Sequence, residues 1–213
     1  FVMPAIIMVI IQQTMLIGIG MIGGTWREHR LYHKLCPAGR KRMSTLPIVA
    51  GRGLVYASIY AVTSCYILGL HYRLFHYPMN GATSAILLFM AVYMAACIML
   101  SIAVSTLFRY RENSLLLLLW TSIPLLMLSG VSYPREGMPD WLYQFGRIFP
   151  SSHGVNAFIR IRTMGASLSE VFAEIKALVI LTVIYGGLAC IGTHLVIDRE
   201  TDGCGCGSPN DNR

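Results

Sequence analysis

The chain has 213 residues, of which 55% are hydrophobic and only 13% charged, where a soluble domain carries roughly 25% charged residues. That balance excludes an ordinary soluble globule, because there is too little polar material to coat its outside. The net charge of +7 raises nucleic-acid binding, yet the most basic run, Gly39-Arg40-Lys41-Arg42, stands in no recognised binding fold. It reads as a juxtamembrane cluster beside anionic lipid, worth about 1 kcal/mol per charge, and no nucleic-acid partner is expected.

Five apolar stretches are long enough for a hydrocarbon core of about 30 Å: Met3 to Gly24, Leu54 to Leu70, Ala82 to Phe108, Leu115 to Val131 and Ala177 to Ile197. None contains Lys, Arg, Asp or Glu, and His194 is their one ionisable residue of the usual kind. Inside lipid every backbone amide needs an internal partner, which runs of this length satisfy as helices. The expected fold class is therefore all-α: a polytopic membrane protein with five transmembrane helices in one domain, 1–197, followed by a flexible cytoplasmic tail, 198–213. The chain begins at Phe1 with the first span already under way, so a preceding segment is expected.

In the first span Gln12, Gln13 and Thr14 stand together. Amides at that depth call for a neighbouring helix or a polar path; three adjacent side chains cannot all face one channel, so interhelical hydrogen bonding is favoured over a substrate path. Gly18, Gly20, Gly23 and Gly24 suit close helix approach.

The connection from Thr25 to Arg52 carries Arg27, Arg30, Lys34, Arg40, Lys41, Arg42 and Arg52, which places it on the cytoplasmic side. Alternation then puts Arg109, Arg111 and the tail inside, and the segment Ser132 to Lys176 outside. Thr25-Trp26-Arg27-Glu28 has the capping-box pattern, predicting a short cytoplasmic helix that starts at the membrane exit and shows Arg27, Glu28, His29 and Arg30 to a partner until Pro37 and Gly39 break it. An ordinary interfacial helix is the equal alternative.

On the outer side Pro134, Pro139 and Pro150 divide a stretch dense in aromatics. Trp141, Leu142, Phe145, Ile148 and Phe149 share a helical face opposite Gln144 and Arg147, predicting an amphipathic, interfacial or re-entrant helix able to seal a pore mouth. A plain aromatic belt is the alternative. Ser167-Leu168-Ser169-Glu170 is a second capping box, predicting the start of the helix that becomes the last span.

The six cysteines form no Cys-x-x-Cys pair, so neither a disulfide framework nor a metal site is expected, and Cys204-Gly-Cys206 reads as part of a reduced tail. The chain has no phosphate loop, His-Glu-x-x-His helix or Gly-x-Ser-x-Gly turn, and no span holds the embedded Asp, Glu or Lys of an ion-coupled carrier. No catalytic residue is assigned. Energy is expected to come from a partner that pushes on the cytoplasmic face.

The run Ser129-Gly130-Val131-Ser132-Tyr133-Pro134, through Met138-Pro139-Asp140-Trp141-Leu142, to Phe149-Pro150 and Phe158-Ile159-Arg160 resembles the outer re-entrant motif of ABC-2 type permeases, the membrane subunits of bacterial ABC exporters. Phe1-Val2-Met3-Pro4 is similar to the entry of their second helix, and Trp26-Arg27-Glu28 sits where their coupling helix meets the ATPase. A family Glu-Arg-Glu-like cluster precedes Gly-Thr at that place, whereas here Gly24-Thr25 comes first. The resemblance implies a first helix and an extracytoplasmic domain that are not in this sequence. It also implies a permease dimer with a second copy or homologue, two ABC ATPase subunits that bind ATP and Mg, often a periplasmic adaptor, and export across the bacterial inner membrane. No cofactor is expected in this chain itself. A membrane-embedded enzyme and a non-transporting scaffold are the other readings; the first would need convergent acids or histidines, and His29 with His33 is the closest pair.

Overall fold

The computed structural model describes residues 2–29, 45–71, 83–108, 110–128 and 139–203. Among them there are seven α-helices and no strand, in agreement with an all-α chain. In chain order these are α1 (Val2–Glu28), α2 (Thr45–Cys65), α3 (Thr83–Ser105), α4 (Arg111–Leu128), α5 (Asp140–Gly146), α6 (Pro150–Met164) and α7 (Phe172–Gly203). A π-helical turn, Tyr66–His71, continues directly from α2.

Among the described residues four helices are long and apolar enough to cross a membrane: Ala5–Glu28, Thr45–Cys65, Ser84–Ser105 and Phe172–Arg199. The fourth expected span is a helix too, but it opens on Arg111, Glu112 and Asn113 and contains Pro124. Its apolar part from Leu115 to Leu128 covers roughly 21 Å at about 1.5 Å per residue, short of the roughly 30 Å of a bilayer core.

The membrane reading is carried by what faces outward. Leu54 and Val62 of α2, Leu119 and Trp120 of α4 and Val183 and Ile191 of α7 are all more exposed than buried, in continuous apolar helix faces that water would penalise and lipid accepts. Packing therefore has to rest on shape, since apolar contact is no better between helices than with acyl chains.

Helix α3 is the axis. Two thirds of its apolar window (67%) is enclosed, against 17% for α2 and for α7, and α1, α2, α6 and α7 all pack on it. Phe89, Tyr93, Cys97 and Ile102 are the fully enclosed centre, met by Met8, Met15 and Ile19 of α1 and Phe158 and Ile161 of α6.

Local signals were obeyed unevenly. Pro150 opens α6 at its first turn, where a missing amide costs nothing, and Gly165 closes it in the left-handed region (φ 69°), directing the Ala166 amide onto Arg160 O at 3.1 Å. The expected helix start at Thr25 is corrected: α1 runs unbroken to Glu28, and the Thr25 hydroxyl donates backwards to Met21 O at 2.9 Å instead of capping anything. Ser167 is no cap either. Its hydroxyl meets that of Ser169 at 2.8 Å, the Glu170 amide bonds Ser167 O in a turn, and α7 begins at Phe172. At the far end α7 continues through Asp198 to Gly203, beyond the expected edge of the membrane domain.

The outer segment also holds more structure than the expected interfacial helix. Only α5, seven residues long, matches that element, while α6 enters the bundle beside α1, α3 and α7 with Val155, Ala157, Phe158 and Ile161 buried.

Candidate functional site

Two ends of the bundle carry polar chemistry. The basic end is the one where α1 finishes and α2 starts, joined by residues that include Arg30, Lys34, Arg40, Lys41 and Arg42. Here Arg27 turns inward: its Nη1 donates to Thr106 O at 2.7 Å and to Phe108 O at 3.3 Å, carbonyls at the end of α3 that lack helical partners. The Arg52 guanidinium lies 5.7 Å from the Trp26 ring centroid, and Trp26 and Ile48 pack against Val196 and Ile197 of α7. The ends of four helices are thereby tied at one level, as expected if this whole face lies on one side of the bilayer.

Beside this knot a cleft of about 390 Å³ opens between the end of α1 and the start of α4, lined by Glu28, His29, Tyr110, Glu112 and Asn113. Glu28 and His29 are exposed. Arg30 lies outside the described residues. Tyr110, Glu112 and Asn113 were not anticipated. Their signal was in the sequence, as a polar cluster, Arg109 to Asn113, set between two apolar runs.

Glu28 is the last residue of α1, where the negative end of the helix dipole disfavours a carboxylate by about 0.3–1 kcal/mol. Stability of α1 gives no reason for an acid there. Glu112, in the first turn of α4, sits where the dipole favours it.

At the opposite end, Pro139, Trp141 and Phe145 are exposed, with Trp141 at 71%, and Pro150 is buried. Pro134 lies outside the described residues. The Phe145 and Phe149 rings meet edge-on at 5.8 Å. Ser152 fastens this corner, its hydroxyl lying 2.8 Å from Gly146 O and 3.2 Å from Leu128 O, while Tyr185 of α7 donates to Ile148 O at 2.6 Å. Asn156 bonds Ser152 O through its Nδ2, and Arg160 pairs with Glu174 of α7 at 3.1 Å. This is a single junction between α6 and α7. It does not run as a carboxylate relay along the described helices.

The three polar residues of α1 do separate, as adjacent helical positions must. Gln12 is fully buried and its Oε1 lies 3.8 Å from Cys97 Sγ, a weak interhelical contact that leaves its Nε2 without a described partner. Gln13 is 8% exposed, and neither end of its amide meets a partner among the described residues. Thr14 points outward and bonds back to Ile10 O and Ile11 O at 3.0 Å, while its own carbonyl accepts from Tyr60 at 2.9 Å. The expected interhelical bonding is thus present at Gln12 and absent at Gln13.

A family model described as ABC-2 family transporter protein matches residues 1–191. The chain belongs to the ABC-2 transporter family. It is a multi-pass membrane component of an ABC transporter, and a family whose members form the membrane part of such transporters, without a catalytic centre of their own, accounts for its apolar helices. Among curated proteins it is similar to an ABC transporter G family member, number 20, of Dictyostelium discoideum, with 25% identity over 138 residues. That alignment covers 65% of this chain and 19% of the relative's length. No solved structure matches the chain significantly.

Proposed function

We propose that this ABC-2 chain is the permease of an ABC exporter, driven by an ATPase subunit that binds ATP and Mg and docks at the basic end. The observation that carries this reading is the cleft between α1 and α4, where Glu28 takes a position that helix electrostatics oppose. Glu28, His29 and Arg30 are assigned to the contact, together with Tyr110, Glu112 and Asn113. Arg27, expected there from sequence, is held inward on the carbonyls at the end of α3.

In this reading the membrane domain is 1–197, with 198–213 on the cytoplasmic side, and α4 with the residues after it completes a fifth span. The close packing of α4 along α1 supports that count. The segment from Pro134 through Pro139, Trp141 and Phe145 to Pro150 serves as the outer gate, and the exposure of Trp141 and Phe145 supports a surface role. A second copy or homologue completes the permease, and a periplasmic adaptor joins it in a bacterial inner membrane. The proline-bounded outer segment is the support for that membrane; the amoebal relative shows that related sequence occurs in a eukaryote too.

The deciding experiment is recovery of the full-length protein from native membranes in mild detergent, with its companions identified by mass spectrometry. Co-purification of an ABC ATPase whose turnover changes on removal of this chain is the expected result. Recovery of the intact permease without any ATP-binding subunit would overturn the proposal.

Of Gln12, Gln13 and Thr14, Gln13 alone is assigned to the substrate path, because Gln12 meets Cys97 and Thr14 faces outward, bonded to its own helix. An unpaired amide in an apolar interior costs about 1–3 kcal/mol, so Gln13 is a polar surface kept at a cost to the fold. Gln13→Leu is accordingly expected to raise stability by about 1 kcal/mol or more, read as a higher midpoint of thermal unfolding in detergent. A lower midpoint would mean that the amide is satisfied and has no reason to be held for cargo.

A further inference from the structure

We propose that Arg27 is a positioning residue that carries movement of the end of α1 into the α3–α4 junction, and so into α4, instead of touching the ATPase itself. The inference rests on the docking reading above, since it concerns what happens to a push once delivered.

The donors of the junction are spent locally. The Thr106 amide bonds Ile102 O and Ala103 O at 3.3 Å, the Leu107 amide bonds Val104 O at 3.0 Å, and the Ser105 and Thr106 hydroxyls each return to carbonyls three residues back at 2.7 Å. What remains is a set of acceptors at the negative end of α3, and Arg27 from α1 supplies the cation and the donor. A guanidinium suits this work because it stays charged and the two hydrogens of its planar Nη1 reach both carbonyls at once.

The surroundings leave no slack. A Cβ on Gly23 of α1 would lie 2.7 Å from Ser105 Cβ, and one on Gly192 of α7 would lie 2.3 Å from Thr106 Oγ1. The end of α3 is therefore wedged between two helix backbones, and tightly packed elements shift as bodies instead of deforming. From the junction α4 runs along α1 to Leu128, whose carbonyl accepts from Ser152 at the head of α6. A continuous set of contacts thus joins Arg27 to the outer corner. Continuity alone shows no coupling, so a direct measurement is needed.

The test is hydrogen–deuterium exchange on the full-length permease assembled with its ATPase in lipid nanodiscs, with and without a non-hydrolysable ATP analogue. In the unaltered protein, peptides covering 21–29 and 102–113 are both expected to respond to the nucleotide. In Arg27→Gln the 21–29 response should persist and the 102–113 response should vanish, with the ATPase still bound. Arg27→Lys keeps a cation but loses the reach and the planar geometry of Nη1, and should at least halve the 102–113 response. An unaltered 102–113 response in both variants, or in the lysine variant where the glutamine variant fails to fold, overturns the proposal. Loss of ATPase binding in Arg27→Gln overturns it as well, by making Arg27 a contact residue. Absence of any response at 21–29 in the unaltered complex would instead remove the docking reading, and the inference with it.

Discussion

Gly154→Ala is expected to destabilise the permease by about 3 kcal/mol. A Cβ at 154 would lie 2.3 Å from Cε2 and 2.6 Å from Cδ2 of Tyr93, inside the contact distance of any two carbons. The ring has nowhere to go. Tyr93 is fully enclosed, its ring stacks near Phe89 at 6.3 Å between centroids, and its hydroxyl donates to Met8 O at 2.9 Å. Either α6 moves off α3, at the roughly 1–3 kcal/mol typical of overpacking, or the tyrosine swings and adds about 1 kcal/mol for its hydrogen bond. The check is the midpoint of thermal unfolding in detergent, for the single variant and for Gly154→Ala combined with Tyr93→Leu. Removing the ring should relieve the clash, so the double variant should be more stable than the two single losses added together, by about 1–2 kcal/mol. Additive losses would show that α6 does not meet α3 at this point.

Glu28→Lys together with Glu112→Lys is expected to cut stimulation of the ATPase about 100-fold. Both carboxylates line the same cleft, and setting cations where a partner presents complementary charge costs several kcal/mol, enough for two decades in binding. Each single reversal should give about 10-fold if the contacts are independent. Folding should be spared, because both side chains are exposed. Glu28→Lys should even stabilise α1 by about 0.3–1 kcal/mol, a cation being favoured at a helix C-terminus. Loss of coupling with gain of stability is a combination that general unfolding does not produce. If ATPase turnover and co-purification are unaffected by the double reversal, the cleft is not the docking surface.

How far the sequence could be read depended on the kind of signal. Uncharged apolar runs marked the helices well: Met3 to Gly24 became Val2–Glu28, Ala82 to Phe108 became Thr83–Ser105, and Ala177 to Ile197 became Phe172–Gly203. The first and the last extend because a helix carries its hydrogen bonds past the apolar zone, and charged residues tolerate that once they reach water. The span expected from Leu54 to Leu70 is helical throughout, with Tyr66–His71 as a π-helical turn, and extends toward the N-terminus to Thr45, because Arg52 is no obstacle to a helix when its cation rests on Trp26. Helix α6 was the element least visible. Its Ser151, Ser152, His153 and Asn156 interrupt any apolar run, and its burial follows from Gly154 letting Tyr93 approach the backbone. The two capping-box patterns failed for a related reason, since a Thr or Ser caps a helix only where the chain actually changes direction, and at Thr25 it does not.

By itself the sequence determined that this chain lives in lipid as helices, because solvent transfer and backbone hydrogen bonding depend on composition and run length, both of which are linear properties. It could not decide which side of each helix meets another helix, since in a bilayer the inner and outer faces are equally apolar and no amphipathic pattern separates them. That choice was left to tertiary fit: Gly23 against Ser105, Gly154 against Tyr93, Gly192 against Thr106. The same fit sent Arg27 inward to the end of α3 and left Glu28, the next residue along, facing out into the cleft.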